Sequence, residues 1–163
     1  MYKSHTVEDF KNYNDRRVLG RPAQKNSYMR KILKKLGLKP DNSIVISSGI
    51  LQALGIRKSK DIDIVVSEAV FRLLKESGRF KVINSQHRIT LTDDTFEIGT
   101  DWIELGKTYK LEDLIEESIV IGGVRYITID FLYKVKKSQA SKKNVSKKNI
   151  EDVKLIEKYL SEL

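Results

Sequence analysis

The chain has 163 residues, no cysteine and a formal net charge of +9 at pH 7. The absence of cysteine excludes disulfide bonds and thiolate metal sites, and the length suits one domain with a single hydrophobic core. Hydrophobic residues make up 40% of the sequence and charged residues 33%, which is typical of a globular protein. No apolar run approaches the ~20 residues that a membrane-spanning helix needs.

The first residues of the sequence are relevant to where the protein is located in the cell. Residues 1–17 contain no apolar stretch of the kind found in secretory signals. Because the chain also lacks cysteine, these features predict a cytoplasmic protein that has no membrane partner.

The positive charge is concentrated in two basic blocks. Residues 16–35 carry eight lysine or arginine residues and no acid, and residues 134–148 carry seven lysines and no acid. Such blocks attract polyphosphates, whether nucleotide, RNA or DNA. The simpler interpretation of each block taken alone is a solvated face that keeps the protein soluble.

Hydrophobic periodicity and turn residues divide the chain into alternating helices and strands. In chain order, the predicted elements are helices at 6–18 and 25–37, a strand at 43–47, a helix at 50–55, a strand at 61–66, a helix at 67–77, strands at 80–84, 87–92 and 95–98, a helix at 111–118, a hairpin of 119–121 and 124–129, and helices at 129–138 and 146–161. The lysine-rich, serine-rich stretch 136–149 predicts a mobile loop between the last two helices.

This order of elements predicts an α/β (α+β) domain with a mixed central sheet flanked by helices. We divide the chain into a basic helical N-terminal segment, residues 1–40, and a main domain, residues 41–163, that ends in a helical tail. The composition changes at this boundary, from the first basic block to a segment of apolar strands.

Two acids at the start of the second predicted strand are the main candidates for a metal-binding or catalytic role. Asp61 and Asp63 are two residues apart, so on a strand their side chains point to one face. Two adjacent carboxylates repel each other unless a cation lies between them, and Mg²⁺ is bound by such oxygen ligands. Glu97, on a later strand between Phe96 and Ile98, is the best candidate for a third carboxylate.

A small turn lies upstream of these acids. Ser47, Ser48 and Gly49 join the first strand to a short helix, where main-chain N–H groups and hydroxyls are available to anionic oxygens. Taken alone, a Ser/Gly turn of this kind is usually only a turn. Gly49 lies 12 residues before Asp61, and this spacing favours a functional role for the turn.

The small turn, the short helix, the basic residues and the Asp-x-Asp strand of residues 44–66 resemble the nucleotidyltransferase superfamily with the DNA polymerase beta-like fold. The segment "GIRKSKDIDIVV" and the tail "KKNIEDVKLI" are similar to the subgroup of abortive-infection toxins and minimal nucleotidyltransferases. The chain departs from the family pattern in the inverted Ser48-Gly49 order, in Glu97 where Asp is commoner, and in Asn149 where the tail often has an acid.

The resemblance implies Mg²⁺ (or Mn²⁺) as cofactor and NTP as substrate. The residues that it implies as catalytic and metal-binding are Asp61, Asp63 and Glu97. Those that it implies for nucleotide binding are Ser47, Ser48, Gly49, Arg57, Lys60 and Lys134.

The implied reaction is transfer of an NMP from an NTP to an acceptor hydroxyl on RNA, such as tRNA, or on a partner protein. The alternative is a catalytically inactive module of the same fold that binds RNA or a partner protein, as an antitoxin does. A structural role for the acids also stays open, in which they cap the strand end or pair with Arg57, Lys58 or Lys60.

Overall fold

The computed structural model of the chain describes residues 22–85 and 88–163. The helices in this part of the chain are α1 (Pro22–Lys35), α2 (Gly49–Ala53), α3 (Glu68–Glu76), α4 (Leu111–Ile115), α5 (Ile129–Ala140) and α6 (Lys147–Ser161). The strands are β1 (Ser43–Ile46), β2 (Ile62–Val66), β3 (Lys81–Ser85), β4 (Arg88–Thr92), β5 (Phe96–Gly99), β6 (Asp101–Glu104), β7 (Lys107–Lys110), β8 (Ser118–Ile121) and β9 (Val124–Ile127).

Seven strands form one mixed sheet in the order β3-β4-β5-β2-β1-β9-β8. The strand β2 lies at its centre, antiparallel to β1 and parallel to β5. The strand β9 is parallel to β1, and the remaining neighbours are antiparallel. The prediction of an α/β domain with a mixed central sheet flanked by helices is confirmed.

The sequences of the two central strands do not alternate between apolar and polar residues. All four residues of β1 are buried, and so are the last three of β2, because both faces of the sheet are covered there. At the other end of β2, Ile62 and Asp63 are only half-buried. β2 is therefore covered on both faces from Ile64 to Val66, and its less covered end is the one next to Asp61 and Asp63.

The hairpin of β6 and β7 is absent from the sequence prediction. It forms a separate two-stranded sheet and is held to the domain by aromatic packing. The ring of Phe131, on α5, lies 6.0 Å from that of Trp102 and 5.2 Å from that of Tyr109. Charged residues interrupt the hairpin sequence, so its anchoring side chains are recognised only when α5 is placed against them.

Two other predictions need comment. The loop predicted at 136–149 between the last two helices is shorter than predicted, because α5 continues to Ala140 and α6 begins at Lys147 with Ser146 as its N-cap, and its mobility stays a prediction. The helix predicted at 6–18 lies outside the described residues. The division at residue 40 stays a prediction, although Met29 and Leu33 of α1 belong to the same hydrophobic cluster as β1 and β2. Within the described ranges, none of the helices has the length and apolar character needed to cross a bilayer.

A buried ionic cluster joins the last helix to the segment that precedes β2. Asp152, on α6, has a side chain that is 1% exposed. Its two carboxylate oxygens accept hydrogen bonds of 2.7 and 2.8 Å from Nε and Nη2 of Arg57. The Nζ of Lys136, on α5, lies 3.1 Å from the same carboxylate and also donates to Asn149. Helices α5 and α6 thereby fix the segment that leads to Asp61.

Burial by itself would raise the pKa of Asp152, but the hydrogen bonds and charges of Arg57 and Lys136 outweigh burial and hold the pKa below its usual 3.8. An acid with a lowered folded-state pKa stabilises the fold above its unfolded-state pKa. This contribution is fully present at neutral pH and is lost as the pH falls below 3.8.

We expect Asp152→Asn to lower the free energy of unfolding by about 3 kcal/mol at pH 7, because the change leaves the buried Lys136 and the half-buried Arg57 without their partner. Urea denaturation at pH 7 measures this loss. The matched control is Glu151→Gln, which changes the adjacent exposed acid. Equal losses in the two variants would contradict the assignment.

Candidate active site

Two carboxyl groups meet at the centre of the sheet. In the parallel pairing of β2 and β5, Asp63 lies opposite Glu97, so their side chains project from the same face. Glu97 lies close enough for its charge to act on the Asp63 carboxyl group. The structure therefore brings together two of the three acids that the sequence singles out.

The surroundings of Asp63 disfavour its charged form. Burial, the negative charge and hydrogen bond of Glu97, and the charge of Asp61 raise the pKa of Asp63 from 3.8 to about 6. The positive charge of Arg88 acts in the opposite direction. Asp61 lies just before β2 and is exposed. A cation at this position would relieve repulsion that the protein alone does not neutralise.

The donor chemistry at this position fits a divalent cation. Mg²⁺ is commonly held by one or two carboxylates, with water and substrate phosphates completing its shell, and Asp63 and Glu97 supply two adjacent carboxyl groups. Among residues 22–85 and 88–163, no group of three or more His, Cys, Asp or Glu side chains is arranged as a metal-binding set. The structure thus places Asp63 opposite Glu97 with Asp61 just before the same strand, and the role of all three as ligands stays a prediction.

The small turn is tied to the segment that carries the acids. Ser47 has a φ of 57°, in the left-handed region that is uncommon for a residue other than glycine. The hydroxyls of Ser48 and Ser59 are 2.7 Å apart, and the hydroxyl of Ser59 also donates to the main-chain oxygen of Asp61. This chain of hydrogen bonds fixes the turn relative to Asp61.

Gly49 has a packing role that accounts for its identity without any ligand. A Cβ at this position would overlap the Cγ1 of Val45 and lie 3.8 Å from the ring of Tyr126. The first residue of α2 must therefore be glycine for the helix to approach the sheet closely. The contact of Ser47, Ser48 and Gly49 with nucleotide phosphates stays a prediction.

The three basic residues proposed for nucleotide binding occupy different environments. Arg57 forms the paired hydrogen bonds with Asp152 described above. Lys60 and Lys134 are exposed and form no hydrogen bond or ion pair with any described side chain. Asp61 and Asp63 form no ion pair within the described residues. The suggestion that Arg57 pairs with these acids is therefore wrong, and nucleotide binding by the three cations stays a prediction.

Arg88 is a residue of the site that the sequence analysis missed. It lies at the start of β4, on the same face as Glu97, and its guanidinium group crosses Gly99, 2.8 Å from where a Cβ would stand. Its Nε donates to the Asp101 carboxylate over 2.8 Å, and its Nη2 donates to the Asp101 main-chain oxygen. In the sequence, Arg88 appears only as a single arginine at the start of a strand rich in β-branched residues. The strand register that brings it near Asp63 depends on the tertiary structure.

Structural comparison finds a similar sheet and helix arrangement in a solved structure of ANT(2")-Ia, an aminoglycoside nucleotidyltransferase, in complex with adenylyl-2"-tobramycin. The TM-score is 0.51 at 13% sequence identity, and the match covers 82% of this chain and 90% of that chain. The chain has a nucleotidyltransferase-like fold.

No protein-family model matches the chain, and no curated protein sequence matches it significantly. At 13% identity the structural likeness shows the fold alone. The activity of this nucleotidyltransferase-like fold must therefore be argued from its own residues, and membership of the abortive-infection subgroup stays a prediction.

We expect Asp63→Asn to stabilise the metal-free protein by up to about 3 kcal/mol at pH 7, since about 2 pKa units of unfavourable charging are removed at roughly 1.4 kcal/mol each. A group with a raised folded-state pKa stabilises the fold below its unfolded-state pKa, here 3.8, and loses that contribution as the pH rises to about 6. The advantage of the variant should therefore be near zero below pH 3.8 and complete above pH 6. Urea denaturation across this range measures it.

The matched control for this measurement is Asp94→Asn, an exposed acid in the turn between β4 and β5. We expect no pH-dependent difference between this variant and the wild type. If Asp63→Asn destabilises the protein at pH 7, the paired carboxyl groups are not under electrostatic strain.

Proposed function

We propose that the protein is a Mg²⁺- or Mn²⁺-dependent nucleotidyltransferase that moves an NMP from an NTP to an acceptor hydroxyl and releases pyrophosphate. The observation that supports the proposal is the placement of Asp63 opposite Glu97 on adjacent parallel strands, at the point where the sheet becomes exposed. A carboxyl group whose pKa is raised by burial and by a neighbouring acid is a candidate for a functional role. The nucleotidyltransferase-like fold supports the same class of reaction.

Asp61, Asp63 and Glu97 are the residues that would hold the cation. When bound, it would neutralise the phosphate charge and stabilise the leaving pyrophosphate. The acceptor oxygen forms a bond to the α-phosphorus while the bond from that phosphorus to the pyrophosphate oxygen breaks. Glu97, exposed on β5, accepts the proton that the acceptor hydroxyl loses.

The remaining residues position the substrates. Ser47 and Ser48 direct hydroxyl and main-chain donors to the β- and γ-phosphates, and the hydrogen bond to Ser59 fixes that turn. The buried Arg57–Asp152 pair holds the segment that leads to Asp61. Rate acceleration by such a site comes chiefly from positioning and charge neutralisation.

We propose RNA or a partner protein as the acceptor. The two basic blocks support an RNA acceptor, because lysine and arginine side chains neutralise backbone phosphates. In the ANT(2")-Ia structure the bound adenylylated molecule is tobramycin, a polyamine. The net charge of +9 on the present chain disfavours such a cationic acceptor.

A second candidate is an inactive module of the same fold that binds RNA or a partner protein. Two observations favour it: Gly49 is explained by packing against Val45, and within the described residues the acids form a pair rather than a set of three metal ligands. The two candidates differ in whether Mg²⁺ and NTP bind through Asp63.

We expect Mg²⁺ at about 5 mM to raise the melting temperature of the wild type by several degrees, because a ligand that binds only the folded state stabilises it. Asp63→Asn and Glu97→Gln should abolish this shift, since each removes a carboxylate of the facing pair. Differential scanning calorimetry with and without EDTA measures it. The shift should persist in Asp94→Asn, and a shift that survives both site variants would exclude the pair as the binding site.

We expect wild-type protein with Mg²⁺ to transfer label from one of the four α-³²P NTPs into RNA or protein of a lysate. Asp63→Asn should lower transfer at least ~100-fold, because it removes a group that acts on developing charge. Sensitivity of the product to ribonuclease or to protease identifies the acceptor class. Wild-type protein that binds Mg²⁺ and transfers no label from any NTP would favour the inactive module.

A further inference from the structure

The helix α1 has one face in the hydrophobic core and the other in solvent. Met29 and Leu33 are buried in the same cluster as the central strands. The helix packs against α2 and β9, and the side chain of Arg30 crosses the turn between β8 and β9, 2.7 Å from where a Cβ on Gly123 would stand. These contacts fix which side of α1 faces solvent.

The solvent face of α1 combines an aromatic ring with lysines. Tyr28 is 67% exposed, and Lys31 and Lys35 are exposed at the i+3 and i+7 positions of the same helix face. We call these three residues the α1 stripe. None of them forms a hydrogen bond, an ion pair or a ring contact with a residue in the described ranges. The helix contains no acidic residue that could neutralise the lysines.

The stability of the helix does not explain this charge pattern. Lys34 and Lys35 lie in the last turn, where the helix dipole favours cations. Arg30 and Lys31 lie one turn earlier and form like-charge i, i+4 pairs with them, and such pairs destabilise a helix. A polyanion bound along α1 would relieve this repulsion.

The apolar face of α1 decides between two polyanions that a basic helix can bind. An amphipathic helix on an anionic membrane inserts its apolar face into the bilayer. Met29 and Leu33 lie in the core and are not available for insertion. Nucleic acid needs only the exposed face, because lysines bind phosphates and an aromatic ring stacks on a base.

The length of the stripe suits a few nucleotides. From Tyr28 to Lys35 the helix rises about 10 Å, which is the length of about three stacked nucleotides at ~3.4 Å each. The bases of a duplex stack on each other and offer no free face to a side-chain ring, whereas unpaired bases do. The exposed ring therefore favours a single strand.

We propose that the α1 stripe is a binding surface for single-stranded nucleic acid. The ring of Tyr28 stacks on an unpaired base, and Lys31 and Lys35 bind the adjoining phosphates. The surface goes beyond the proposed transferase, because it serves nucleic-acid binding in an active enzyme and in the inactive module alike.

The test is the fluorescence anisotropy of a fluorescein-labelled twelve-nucleotide RNA of mixed sequence, titrated with protein in EDTA over a range of KCl concentrations. We expect Lys31→Ala/Lys35→Ala to raise the Kd at least tenfold at low salt. It should also reduce the slope of log Kd against log salt by about 1.4, because two phosphate contacts at ~0.7 each are lost. Lys31→Arg/Lys35→Arg retains both charges and should bind within about twofold of the wild type.

The tyrosine is tested separately from the charges. We expect Tyr28→Ala to raise the Kd of the single strand about tenfold without changing the salt slope, because a stacked base releases no counterion. Tyr28→Phe keeps the ring and should bind within about twofold of the wild type. The same strand annealed to its complement should bind equally to the wild type and to Tyr28→Ala. A single strand that binds both proteins equally overturns the proposal.

The matched control is Lys154→Ala/Lys158→Ala, which removes an exposed i, i+4 lysine pair from α6. We expect it to leave the Kd unchanged. Equal weakening by the two double alanine variants, or no weakening by either, overturns the proposal, because binding would then be diffuse or absent from α1. Melting temperatures within about 3 °C of the wild type exclude unfolding as the cause, since these side chains are exposed.

Two further arms identify the partner. A DNA strand of the same sequence shows whether the surface distinguishes RNA from DNA, and single-strand binding that depends on Tyr28 supports the proposal with either sugar. Polyglutamate of matched charge represents an acidic protein. If it displaces the RNA as effectively as unlabelled RNA does, the proposal is overturned, because polyglutamate has no base to stack on the ring.

The surface and the transferase fail in different ways. Asp63→Asn should bind the single strand as the wild type does, because it leaves α1 unchanged. If the stripe variants lose binding and the wild type transfers no label from any NTP, the transferase is overturned and the surface stands. If the wild type transfers label and the stripe variants bind the strand as tightly as it does, the surface is overturned and the transferase stands.

Discussion

The placement of the partly buried Asp63 opposite Glu97 is the constraint on which the candidate site depends. It exists because β2 and β5 are parallel neighbours whose register puts the two residues opposite each other. Burial on one side and a second acid on the other raise the pKa of Asp63 to about 6. A fold that keeps such a pair must obtain its stability elsewhere, because the pair itself opposes folding at neutral pH.

The compensating stability lies in the apolar sheet and in the ionic cluster behind it. The central strands pack Ile and Val on both faces, and Asp152 binds Arg57 and Lys136 at the interface of the two C-terminal helices. The two acidic positions thus have opposite electrostatics: cations lower the pKa of Asp152, whereas burial and the charge of Glu97 raise the pKa of Asp63. The first fixes the segment before β2, and the second is available for a cation and substrate.

Most of the secondary structure could be predicted from local sequence patterns. The errors lie where contacts between distant segments determine the local structure. β-branched runs and glycine turns predicted the strands of the central sheet and the hairpin of β8 and β9. The β6–β7 hairpin was missed because its anchors, Trp102 and Tyr109, are defined by Phe131 on a later helix. The predicted loop at 136–149 overlapped the end of the predicted helix 129–138 because that stretch is polar, although the charge of Lys136 is buried against Asp152.

The sequence by itself determined the candidate acids, since the i, i+2 spacing of Asp61 and Asp63 puts them on one face of any strand. It also singled out Glu97 by its position among apolar neighbours. Only the tertiary structure decided that Asp63 lies opposite Glu97, that Arg57 faces Asp152, and that Arg88 crosses Gly99. Strand order and register relate residues far apart in the chain, and local periodicity carries no information about either.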